Sequence, residues 1–84
     1  MQNFLGLHEL KIGDCAVVHE LQNPPAMRQR LQDLGLVEGT EVECLGKAPG
    51  GELGAYLIRG AVIAIRAFDA CLVRVLPRFP EMEK

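Results

Sequence analysis

The chain has 84 residues with nine Lys and Arg against eleven Asp and Glu, a formal net charge of −2 and a pI near 5.6. A chain of this size makes one domain that buries only about 60–65% of its unfolded surface, so the core is small and stability is expected to be marginal. The 49% apolar content excludes a disordered chain, and the lack of a cationic surplus argues against a protein that lives on nucleic-acid phosphates.

Leu5 to Ile12 carries Leu7, Leu10 and Ile12 and ends at Gly13-Asp14, which predicts an irregular lead-in that packs across the domain and then turns. Cys15 to Leu21 is rich in β-branched and apolar residues with Ala16 and Val18 on one face, and reads as the first strand. Asn23-Pro24-Pro25 closes it, because the residue before a proline avoids the α region while proline is tolerated in a first helical turn. A helix is therefore expected over about 25–34, with Met27, Leu31 and Leu34 on one apolar stripe and Arg28 and Arg30 flanking that stripe. Gly35 supplies a left-handed C′ position, with Leu36 placed to touch Leu31 in a Schellman-type stop.

Glu38-Gly39 forms a second reversal, after which Val42 and Cys44 alternate with Glu41 and Glu43 in a strand from Glu41 to Lys47. Pro49-Gly50-Gly51 is a flexible connection to a strand around Tyr56 and Ile58. Arg59-Gly60 reads as a tight reversal into Val62 to Arg66, with Ile63 and Ile65 facing one way. A short helical turn near 67–71 precedes a last strand, Leu72 to Leu76. The expected organisation is one domain over 1–76 and a charged, proline-containing tail over 77–84. Five short strands and one longer helix, with no repeat and no linker, predict a small, mostly β barrel, since curling shields the edges of so small a sheet.

Arg28 to Gly39, RQRLQDLGLVEG, resembles the signature of the ferrous-iron transport protein A (FeoA) family, a basic helix ending in Leu-x-x-Leu-Gly-Leu-x-x-Gly before a strand. Ala48-Pro49 with Gly51-Glu52, then Arg59-Gly60, then Ile63-Ala64-Ile65-Arg66, fit further family segments in order, so the resemblance runs from about Leu10 to Val75. It implies an SH3-like barrel with the inserted helix packed over one end. It also implies a cytoplasmic, non-catalytic accessory protein that docks on the cytosolic portion of the GTPase-linked iron(II) permease (FeoB). The chain departs from the family pattern at Gly50, Gly54, Ala61 and Val62, where larger, β-branched, aromatic or basic residues are usual, which leaves the surface from Leu53 to Val62 smaller and less charged.

No catalytic, cofactor or metal site is expected. His8-Glu9 lacks the second histidine of HExxH, since position 12 is Ile12, and His19 and Glu20 point to opposite faces of a strand. Both histidines are expected as solvated surface residues. Cys15, Cys44 and Cys71, an odd number with no CxxC pair, read as small packed hydrophobes in a reducing compartment. The glycine-rich run from Gly50 to Gly54 lacks the GxxxxGK[ST] spacing of a phosphate loop. The longest apolar run, Ala61 to Ile65, is far below the roughly 20 residues a membrane span needs.

The residues singled out for partner contact are Arg28 and Arg30, where cations border apolar surface, with Leu36, Pro49 and Leu53 as secondary candidates. Leu31, Leu34, Gly35, Gly39 and Gly60 are assigned structural roles. The expected molecule is a monomer or weak homodimer that binds no nucleic acid and does not insert into a membrane. Two alternatives come from other classes: a regulatory SH3-like module related to metal-dependent repressors, and a small metal carrier.

Overall fold

In the computed structural model, which describes residues 3–78, six antiparallel strands form one curled sheet in the order β1-β6-β2-β3-β4-β5. The elements are β1 (Leu5–Gly6), β2 (Cys15–Leu21), α1 (Pro25–Asp33), β3 (Glu41–Lys47), β4 (Leu53–Ile58), β5 (Ala61–Arg66), α2 (Ala67–Ala70) and β6 (Val73–Arg78). Short 3-10 turns occupy Leu7–Glu9 and Pro49–Gly51. The architecture is mostly β, as expected, with a sixth strand added. β1 is only two residues long and pairs with β6 through Leu5 and Gly6, so the stretch expected to be an irregular lead-in is part of the sheet.

Alternation places one face of each long strand inward. Ala16 and Val18 of β2, Val42 and Cys44 of β3, Tyr56 and Ile58 of β4, and Val73 and Val75 of β6 are all buried in a single cluster. Leu7 and Leu10 from the lead-in close one side of it, whereas Ile12, expected to pack with them, is exposed. The single turn of α2 packs against β5 and the Leu7–Glu9 turn, which joins the two ends of the sheet. Beyond Leu76 the last strand continues through Pro77 and Arg78, paired with Ala16 and Cys15 of β2. The rest of the expected tail, residues 79–84, lies outside the described residues.

The α1 segment folds as its local signals demand. Pro25 stands in the first turn, where a missing N–H costs nothing, and the helix stops at a Schellman motif. The Leu36 N–H donates to the Leu31 carbonyl at 3.0 Å and the Gly35 N–H to the Gln32 carbonyl at 3.0 Å, with Gly35 at φ 112°. Leu31 and Leu36 are both buried, so the apolar contact that accompanies this stop is also the helix's attachment to the barrel. Leu34 departs from the expected stripe. It stands at the C-cap, one residue past the last helical one, and is 43% exposed.

The β4–β5 hairpin turns on Arg59 and Gly60, both with positive φ (52° and 83°), the geometry of a type I′ turn. Gly35 is held close beneath this turn, since a Cβ there would stand 2.9 Å from Cδ of Arg59. Two sequence features that set the end of the helix and the hairpin turn therefore meet in space.

Candidate functional site

The side of α1 that faces β5 forms a groove of about 180 Å³ lined by Met27, Arg30, Leu31 and Leu34 from the helix, Ala64, Ile65 and Arg66 from β5, and Asp69 from α2. Its floor is apolar, because Leu31 and Ile65 belong to the core and Met27 packs on it. Its rim is charged. Arg30 is exposed on the helix, and Arg66, with 70% of its side chain exposed, reaches Asp69 through an Nε to Oδ2 distance of 3.6 Å. Two guanidinium groups against one carboxylate leave this groove locally cationic on a molecule whose net charge is −2.

The residues expected to contact a partner fall into three environments. Arg30 lines the groove. Arg28 is half-buried, and its Nη1 donates to the Asn23 carbonyl at 3.3 Å, which ties it to the entry of its own helix. Leu53 is 40% exposed and stands directly across from Arg66 in the β4–β5 ladder, beside the groove and outside its lining. Pro49 is exposed on the β3–β4 connection and does not line the groove. Leu36 is a correction: the Schellman stop turns it into the core, where it has 0% exposure and offers a partner no surface.

Nothing in the sequence marks Ala64 and Asp69 as groove residues, because their place beside α1 depends on the long-range curl of the sheet. Asn23, in sequence only part of a strand stop, has a second role. It is 1% exposed, and its Nδ2 donates to the Asp69 carbonyl at 2.9 Å, which clamps the chain entering α1 to α2. The groove's two walls are thereby fixed to each other.

The remaining reactive groups are scattered. Among the described residues no three His, Cys, Asp or Glu side chains converge to hold a metal ion. Cys44 is buried in the inward phase of β3, whereas Cys15 and Cys71 are only half-buried, contrary to the expectation that all three are packed. Burial, with Glu43 and then Glu41 beside it, raises the Cys15 pKa and keeps that thiol protonated. His8, expected in solvent, is instead half-buried, with Nδ1 enclosed and without a partner among the described residues. His19 is exposed, as expected, and stacks on Phe4 with ring centroids 4.3 Å apart.

Comparison with known proteins agrees with this architecture. The FeoA domain family model matches residues 5–77. The solution structure of the FeoA protein from Chlorobium tepidum is 36% identical over 92% of this chain and 70% of its own, with a TM-score of 0.80. A FeoA-like protein from Clostridium acetobutylicum is 28% identical, covers 100% of this chain and 98% of its own, and has a TM-score of 0.85. FeoA from Stenotrophomonas maltophilia, solved in complex with zinc, is 36% identical over 82% of this chain and 86% of its own, with a TM-score of 0.74. It is described as a prokaryotic SH3 domain protein and a possible ferrous iron transport activating factor. A manganese-dependent transcriptional repressor shares the fold with a TM-score of 0.83 at 16% identity, over 93% of this chain and 38% of its own. No curated protein matches the chain in sequence. With the family model spanning nearly all of the barrel and the signature helix ending in its Schellman stop, the chain belongs to the FeoA family.

Proposed function

We propose that this chain is a cytoplasmic, non-catalytic accessory protein of ferrous-iron uptake that docks on the cytosolic portion of the GTP-binding iron(II) permease. The observation that carries the proposal, beside membership of the family, is the α1–β5 groove, in which apolar surface coincides with the exposed guanidinium of Arg30. Such a cation-rimmed apolar patch is the form a transient protein interface takes, with an apolar centre that holds the partner and rim charges that steer it. Arg30 and Leu53 carry the contact, and Arg28 supports the helix that presents it.

The proposal is tested by titrating the purified chain with the isolated cytosolic portion of the cognate permease in a calorimeter, under reducing conditions. Saturable binding is expected, and the absence of any binding at micromolar concentrations of both proteins overturns the docking role. The same chain titrated anaerobically with iron(II) is expected to show no submicromolar site. A stoichiometric tight site would instead establish a metal carrier.

A further inference from the structure

β5 is the terminal strand of the sheet, and its outer edge is open where it borders the α1 groove. The type I′ turn fixes which backbone groups that edge presents. In a two-residue hairpin the pair flanking the turn, here Ile58 and Ala61, exchanges both hydrogen bonds, and the pattern alternates along the ladder. Ala61, Ile63 and Ile65 therefore bond inward to β4, while the N–H and C=O groups of Val62 and Ala64 point away from it. Among the described residues these outward groups have no backbone partner. Val62 is 65% exposed and Ala64 is exposed, and no charged side chain or proline stands between Arg59 and Arg66 to guard the edge.

Resting on the docking role above, we propose that the α1–β5 groove takes an extended segment of its partner as a seventh strand, added to the free edge of β5 with alternate side chains set against α1. The occupant is a peptide of alternating apolar and acidic residues. Its apolar side chains meet the floor of Met27, Leu31 and Ile65, and its carboxylates meet Arg30 and Arg66. Main-chain hydrogen bonds to Val62 and Ala64 supply sequence-independent affinity, while the pocketed side chains supply specificity, as in other strand-addition modules that lay a peptide between a helix and an edge strand. A second copy of this chain is a poorer occupant, since β5 carries no acidic residue and would bring Arg66 toward the arginines of its twin.

Amide exchange followed by NMR on the full chain separates strand addition from side-chain docking. Two probes are used: the cytosolic portion of the permease, and an acetylated heptapeptide alternating valine and glutamate, with its lysine counterpart as the control. The expected result is at least a tenfold slowing of exchange at Val62 and Ala64 with the permease portion and with the glutamate peptide at saturation, and no slowing with the lysine peptide. Ala64→Pro removes an outward N–H that β4 does not use, so the domain should stay folded while the slowing at Val62 and the binding of both probes are lost. Slowing with the peptide but no binding of the permease portion sinks the docking role and leaves the strand-addition site standing. Binding of the permease portion without slowing at Val62 and Ala64, or undiminished binding by a folded Ala64→Pro chain, leaves docking standing and overturns strand addition. No slowing with either probe also overturns strand addition.

Discussion

Tyr56 fills the centre of the barrel because the residue two before it on the same strand face is a glycine. A Cβ at Gly54 would stand 2.6 Å from the Tyr56 hydroxyl and 2.8 Å from Cζ, so the ring occupies the space a side chain at position 54 would need. Burial, reinforced by the neighbouring Cys44, raises the phenol pKa from 10.0 to about 12. A folded-state pKa above the unfolded one means that the native state holds its proton longer. Stability is therefore intact below pH 10 and is lost as the pH rises through about 12, by roughly 2–3 kcal/mol. The chain has one tyrosine and no tryptophan, so phenolate absorbance reports Tyr56 alone. Its midpoint in the folded protein is expected near 12, and Tyr56→Phe should flatten the alkaline fall in stability measured by denaturation. A midpoint at the free value of 10.0 would place the ring in solvent.

The inserted helix is set by its ends more than by its middle. Gly35, at φ 112°, takes a conformation that costs a β-branched residue dearly, and the Arg59 side chain leaves little room for a Cβ there. Gly35→Val is expected to destabilise the domain by about 1 kcal/mol or more, read as a lowered denaturation midpoint with an unchanged slope. An unaltered midpoint would show that the motif contributes nothing to holding Leu31 and Leu36 in the core. These ends were legible in the sequence because Pro24-Pro25, Gly35 and Arg59-Gly60 each impose local backbone geometry, and local geometry survives without knowledge of the fold. The strands were legible wherever alternation ran for five residues or so, and β1, at two residues, is too short to alternate. The groove was only half legible. Arg28 and Arg30 stand out on the helix, but which one faces β5, and that Leu36 turns inward while Leu34 does not, depends on how the sheet curls beneath them.

On the scale of the whole molecule, a net charge of −2 repels an acidic partner at long range, while the groove around Arg30 and Arg66 attracts it at short range. Association should then depend on salt through these few arginines, because charges at an exposed rim act across a screening length of about 8 Å at physiological ionic strength. Arg28 and Arg30 are expected to differ. Arg28→Glu replaces a donor to the Asn23 carbonyl with a second acceptor, so it should lower stability by up to about 1 kcal/mol as well as weaken docking. Among the described residues Arg30 has no such tie, and Arg30→Glu should leave stability within about 0.5 kcal/mol of the parent. Its affinity for the cytosolic portion of the permease should nevertheless fall several-fold at low salt, mainly through a slower association rate, with the difference shrinking as salt is added. Stopped-flow association at low and moderate salt, alongside denaturation of each variant, separates the two effects. If Arg30→Glu associates at the parent rate at both salt concentrations with its amide spectrum intact, the helix rim is a solvated face, and the contact must lie along the Tyr56 to Val62 hairpin instead.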